Sequence, residues 1–313
     1  MDTASGSKVI SPIVSFRILN ALLLLLIMIN LQGCSRVPTS RKIQVVASIE
    51  PLAYFVDRVG GDRVSVSVMV PPGGNPHSYE PTPKQMERLG RAALFVKAGS
   101  GVEFELDWMH RFLDLNRTLA VCDASTGAPL IPMTISEEEH EEPSGTGSHR
   151  HGQDDPHFWL TPRNARTIAA NVERSLSTVD PVNRAYYAAN RAVLDKELQE
   201  LDAEIRERLS GLKNRHFLVF HPAWGYYAGE YGLEQIAAEA EGKTLTPVQM
   251  TKVIEKARAE RIRVVFVSPQ FSTTQAEAIA RDIGGVTVMV DPLSRDYQQN
   301  LRKATTAFVR SMR

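Results

Sequence analysis

PVNRAYYAANRAVLDKELQELDAEIRERLSGL, residues 181–212, places apolar side chains at Tyr187, Val193, Leu194, Leu198, Leu201, Ile205 and Leu209. That spacing follows the helical period, with Asp180 available as a cap, Pro181 suited to the first turn and Gly211 to the end. An unbroken helix from Pro181 to Gly211 would run about 46 Å at 1.5 Å per residue, enough to cross a whole domain. A coiled-coil seam would need apolar heptads sustained over more turns. The stretch therefore reads as a stiff spine, and the fold depends on what lies on either side of it.

Both sides carry the same grammar. Upstream, the short apolar runs KIQVVASI (42–49), RVSVSVMV (63–70), AALFVKAG (92–99) and TLAVCD (118–123) are bounded by Gly, Pro or charge. Downstream come HFLVF (216–220), LEQIAA (233–238), RVVFVS (263–268) and VTVMV (286–290), with helical patterns at 247–261 and 274–284. Strands alternating with amphipathic segments argue for parallel sheets. The expectation is an α/β protein of two lobes, each a four-stranded, mainly parallel sheet flanked by helices, joined by one long rigid helix. The expected boundaries are 42–180 for the N-terminal lobe, 181–212 for the linking helix and 213–313 for the C-terminal lobe.

The first 33 residues have the make-up of a signal peptide. Lys8 and Arg17 supply the positive region, Ile18 to Leu31 the apolar one, and Leu31-Gln32-Gly33-Cys34 resembles a bacterial lipobox. The apolar run is shorter than the roughly 20 residues of a comfortable membrane span, although an uncleaved anchor is the alternative. Lipidation at Cys34 would leave residues 34–41 as a tether, Cys122 as the one remaining thiol, and no intramolecular disulfide. Cys122, within the run TLAVC, reads as a buried core thiol. The chain has 36 basic and 36 acidic residues, which gives no footprint for nucleic acid and leaves a small partner as the expectation.

Open α/β sheets bind ligands beyond the carboxyl ends of their strands. At those ends stand His77, in PPGGNPHSYEPTP after the second run, His221, directly after HFLVF, and Asp291, after VTVMV. His157 emerges in DPHFWLTP. Singly, each histidine is ordinarily a hydrogen-bonded structural residue. Together, three imidazoles and one carboxylate from four segments form a ligand set suited to tetrahedral Zn2+. His110, on an amphipathic helical pattern, and His216, at the start of a strand, read as structural. Trp159, Trp224, Tyr226 and Tyr227 stand beside these positions and are expected to wall the site or pack the core.

Between Ser136 and Trp159 the chain holds four histidines and seven carboxylates. Residues 136–155 show no apolar period and read as a mobile loop in which His140, His149 and His151 can make transient metal contacts.

The pieces PHSYEPTP, DPHFWLTP, FHPAWGYYA and VDPL, in this order, resemble the solute-binding lipoproteins of zinc and manganese ABC uptake systems, the ZnuA/TroA-like family. The resemblance covers the chain from Lys42 onward. It implies two lobes with metal between them, held by His77, His157 and His221, with Asp291 or a water as the fourth ligand. Manganese-type members carry a carboxylate where this chain has His221, so Zn2+ is the implied cargo and Mn2+ or iron the alternative. Asn75-Pro76-His77 lacks an acidic residue just before the histidine, so no ligand comes from that position. The family also implies a membrane permease and its ATPase as partners, a monomer anchored by lipid outside the cytoplasm, and metal capture by the His/acid loop. A secreted hydrolase with a three-histidine zinc site is the rival from another class, but no HExxH motif occurs. A surface adhesin of the same fold is a further reading.

Overall fold

The computed structural model describes residues 42–133, 154–239 and 245–313, all within the compact unit Lys42–Arg313. Cys34, the expected signal peptide, and His140, His149 and His151 lie outside the described residues. No helix among the described residues is long and apolar enough to cross a membrane.

Among the described residues eight strands form two sheets: β1 (Ile43–Ala47), β2 (Val64–Val68), β3 (Leu94–Lys97) and β4 (Ala120–Asp123), then β5 (His216–Val219), β6 (Glu234–Ala237), β7 (Val264–Val267) and β8 (Val286–Met289). The order is β2-β1-β3-β4 in the first and β6-β5-β7-β8 in the second, every pairing being parallel. All eight expected strands are present, and the two-lobed α/β architecture with a helix between the sheets is the one read from the sequence. The crossovers supply α1 (Glu50–Gly60), α2 (Pro83–Gly90) and α3 (Glu103–Leu115) in the first lobe. After β4 follow α4 (Pro162–Val179) and α5 (Arg184–Ser210), and the second lobe has α6 (Gly225–Tyr231), α7 (Pro247–Ala259), α8 (Thr274–Asp282) and α9 (Tyr297–Ser311).

The spine is α5, 27 residues long, preceded by a separate 3-10 turn at Pro181–Asn183. It is therefore about 40 Å long rather than 46 Å. Asp180 does not cap it: its Oδ2 accepts from Asn183 Nδ2 at 2.6 Å and from the Tyr187 hydroxyl at 2.7 Å, which holds the turn instead. Tyr187, Leu194, Leu198, Leu201, Ile205 and Leu209 are buried, whereas Val193 is 59% exposed, one step off the stripe.

One continuous core runs from the first lobe (Val45, Phe55, Phe95) through the spine leucines to Phe217, Phe266 and Phe308 of the second. Alternate strand residues face opposite sides of a sheet. Accordingly Phe217, Val219 and Phe266 face this core, while Leu218, Val265 and Val267 join a second cluster with Ile254, Ala257, Ala276 and Ile279 of α7 and α8. Polar ties reinforce the junction. Glu197, on the spine, accepts from Arg58 of α1 at 2.8 Å and from Gln298 of α9 at 2.7 Å. The Arg58 hydrogen bond, above all, holds its carboxyl below the usual range. Cys122 is buried as expected, and burial pushes its thiol pKa up to about 11.

The burial pattern on the spine predicts a contrast. Leu198→Ala should cost about 2–5 kcal/mol through lost burial and the cavity left behind, and Val193→Ala no more than about 0.5 kcal/mol. Urea unfolding of the two variants checks this.

Candidate metal centre

His77 and His221 stand beyond the carboxyl ends of β2 and β5, and His157 lies just before the 3-10 turn Phe158–Leu160 that leads into α4. The His77 loop leaves β2 and is fastened at its far end by a capping box, in which Thr82 Oγ1 accepts from Gln85 N while Gln85 Oε1 accepts from Thr82 N at 2.9 Å. Gln85 also donates back to the Met69 carbonyl, closing the loop on the strand it came from. Within the loop, Asn75 Oδ1 accepts from His77 N at 3.0 Å, and Pro76 O accepts from Phe104 N at 3.2 Å.

His157 repeats the device with Asp155, whose Oδ1 accepts from His157 N at 2.9 Å and lies 2.8 Å from the ring Nδ1. Asp155 is itself held at both ends, its N–H donating to Ile131 O at 2.8 Å and its carbonyl accepting from the Tyr226 hydroxyl at 3.0 Å. Gly225 permits this packing, because a Cβ there would stand 2.5 Å from Asp155 Oδ2. His221 follows β5 at the point where the strand order reverses, with β6 on one side and β7 on the other.

The three rings converge. The ligand nitrogens of His77, His157 and His221 lie within 4.8 Å of one another, and His157 Nε2 and His221 Nε2 are 3.3 Å apart. Ring centroids are 5.1 Å apart for His77 and His221 and 5.2 Å for His157 and His221. A carboxylate stands at every Nδ1: Glu103 at 2.9 Å from His77, Asp155 at 2.8 Å from His157, and Glu239 at 2.5 Å from His221. A carboxylate accepting Nδ1–H fixes the tautomer that leaves Nε2 with its lone pair. Burial, joined by the neighbouring His157 and His77 rings, pushes the His221 pKa well below the ordinary histidine value, which favours the neutral ring a metal requires.

Glu103, Asp155 and Glu239 are the residues that sequence reading missed. Asp155 was within reach, two residues before His157 in a DPH tripeptide. Glu103 and Glu239 come from other elements and carried no local signal.

The cavity is lined, besides the histidines and Glu103, by Pro76, Val102, Pro156, Trp159, Gln270, Phe271, Pro292 and Leu293. Phe271 stacks on His221 with centroids 4.3 Å apart. The space open to the centre of a water-sized sphere is about 20 Å³. That is on the order of one or two water-sized occupants. Of the expected aromatic walls, Trp159 lines the cavity. Trp224 and Tyr227 pack against Phe308 in the core instead, and Tyr226 holds Asp155.

Asp291 lies outside the three-histidine group. Its Oδ1 accepts from Gln270 Nε2 at 2.8 Å and Leu293 N at 2.9 Å. The loop after it is tied across the lobes, Trp159 Nε1 donating to Pro292 O at 2.8 Å and the Tyr297 hydroxyl to Trp159 O at 2.7 Å. His110 is exposed on α3, and His216 is paired with Glu234 and Glu260 at 3.1 Å each, away from the centre.

Two parallel lobes of identical strand order, with three imidazoles facing one another between them, define a two-lobed metal-binding α/β protein of the solute-binding kind. A family model for the periplasmic component A of the zinc-uptake complex, ZnuA, matches residues 45–311, and the chain belongs to that family. It is 31% identical over 254 residues to the high-affinity zinc uptake system protein ZnuA of Bacillus subtilis, covering 80% of this chain and 79% of that one. It is 28% identical over 255 residues to the zinc-binding lipoprotein AdcA of Streptococcus pneumoniae, but spans only 50% of that longer protein. Among solved structures, a ZnuA crystal structure superposes with a TM-score of 0.79 at 33% identity, covering 87% of this chain and all of that one. A zinc-bound ZnuA deletion mutant gives 0.78 at 34% identity, over 87% of this chain and 98% of that one.

The carboxylate contacts predict that Glu239→Gln weakens zinc binding roughly 10–100-fold with the far-ultraviolet circular dichroism unchanged, because the amide no longer dictates the His221 tautomer. Competition against a chromophoric chelator measures it.

Proposed function

We propose that this protein is the extracytoplasmic zinc-binding component of an ABC uptake system. It captures Zn2+ at Nε2 of His77, His157 and His221 and delivers it to a membrane permease driven by an ATPase on the cytoplasmic side. The observation that carries this reading is the convergence of three carboxylate-backed imidazoles on a cavity of ionic size. Imidazole donors favour zinc, whereas an oxygen-rich shell would favour manganese. The names of the relatives, zinc uptake protein and zinc-binding lipoprotein, support the same cargo.

The reading is one of binding and delivery without chemical turnover. A three-histidine zinc hydrolase would need room for its substrate beside the metal, and a pocket this narrow favours a bound ion instead. Cys34 is the proposed site of lipidation, anchoring a monomer at the membrane outside the cytoplasm. The His/acid tract containing His140, His149 and His151 is proposed to collect zinc near the cleft.

Elemental analysis followed by competition titration tests the reading. One zinc per chain that manganese does not displace, lost in His221→Ala and His77→Ala, is expected. Preference for manganese, or no tight site, would overturn it.

A further inference from the structure

The apolar side chains on the wall of the histidine cavity differ in what holds them. Three are prolines, whose rings are fixed to the backbone. Val102 and Trp159 belong to the first core, Leu293 packs against it, and Trp159 is also bonded to the Pro292 carbonyl. Phe271 belongs to neither core. Among the described residues its ring partners are His221, stacked at 4.3 Å between centroids and 28° between planes, and His77, tilted at 6.0 Å. A phenylalanine ordinarily buries its large apolar surface in a core. Here that surface lies on two of the three imidazoles.

Its place on the wall is a second observation. His157, His221 and Trp159 are buried, whereas His77, Glu103, Gln270, Phe271 and Leu293 are half-buried, which marks theirs as the side of the cavity nearer solvent. A dication with its water shell is larger than the space between the rings, so on entry the shell is shed and the wall gives way. Two neighbours on that side are tied by polar contacts, Gln270 to Asp291 at 2.8 Å and Glu103 to His77 at 2.9 Å. The backbone of Phe271 is fixed by a turn, its N–H donating to Ser268 O at 3.3 Å, but its phenyl ring has no hydrogen-bonding group to tie it.

We propose that Phe271 sets the rate at which the ion enters and leaves: its ring, laid on His221 and against His77, covers the solvent side of the centre, and exchange waits on its rotation off the imidazoles. This rests on the zinc-binding reading of the site. The nitrogens set how tightly the ion is held, and the phenyl ring sets how fast it is exchanged. A cover that makes no bond to the ion slows capture and release alike, because it can shift the equilibrium only by as much as it distinguishes the loaded state from the empty one.

The test uses the full chain in detergent and follows Co2+ by its visible absorption, on capture from solution and on release to excess chelator. Phe271→Ala should accelerate both, each roughly tenfold, the scale of one aromatic contact. Phe271→Leu, which stays apolar but offers no ring face, should also exchange faster than the wild type, and Phe271→Tyr, which keeps the ring, should exchange as slowly. In the metal-free protein, diethyl pyrocarbonate should modify His221 faster in Phe271→Ala than in the wild type, as read by peptide mass spectrometry. Release that accelerates while capture does not would overturn the inference and make Phe271 a support for His221 alone. Rates unchanged in both Phe271→Ala and Phe271→Leu would overturn it as well. A wild-type chain that takes up neither Co2+ nor zinc would overturn the zinc-binding reading itself, and this inference with it.

Discussion

An imidazole holds a cation only through a ring nitrogen that carries no proton, and the arrangement of this chain answers to that requirement three times. Each ring has a carboxylate at Nδ1, which leaves Nε2 facing its neighbours. The three carboxylates reach their rings by different routes. Asp155 does so through a tight turn two residues away, Glu103 from the start of α3, and Glu239 from just beyond the end of β6, the strand beside β5. Three neutral rings bound to a dication would bury two uncompensated charges, at prohibitive cost in an apolar site. The carboxylates compensate that charge, so the same side chains set the tautomer and make a buried dication tolerable.

Parallel topology makes this convergence possible. In a parallel sheet all carboxyl ends lie on one side, and the order shared by both sheets opens a crevice where the chain reverses direction across the sheet. Rings whose centroids are about 5 Å apart leave little tolerance in how the lobes are set. That setting is held by the spine, whose buried stripe belongs to one core with both lobes and whose Glu197 is bonded to each of them. Packing of this continuity transmits small displacements instead of absorbing them.

The sequence made the scaffold legible because its signals are local. Every strand is a short branched-apolar run between breakers, and each helix carries its own period. Where reading failed, the competing interaction was one of tertiary partnership. Asp180 satisfies Asn183 and Tyr187 and not a helix terminus, so the spine begins one turn late. Trp224 and Tyr227, for which either walling the site or packing the core was expected, take the second course and pack against Phe308. His77 and His221 could be nominated from their places at strand ends, and His157 from its DPHFWLTP segment. Glu103 and Glu239 could not, because a glutamate in a chain with 36 acidic residues has no local mark of burial or partnership. Only the fold brings them to the rings.

A carrier must also release what it binds, and the ties across the cleft define what has to change. The loop from Asp291 to Tyr297 belongs to the second lobe by sequence, yet it is fastened to the first by the buried pair of hydrogen bonds with Trp159 and by Arg295, which reaches Glu50 at 3.2 Å and Asp57 at 2.6 Å. His77 and His157 stand on that same fastened side. His221 and Phe271, stacked on one another, extend from β5 and β7 of the other sheet, where the second, separate core lies beneath. The division of the wall is thus two imidazoles against one. Zinc–nitrogen bonds are about 2.0–2.1 Å long, so an ion needs all three rings held in place, and β5, which presents His221, is packed on the shared core through Phe217 and Val219 and on the second cluster through Leu218.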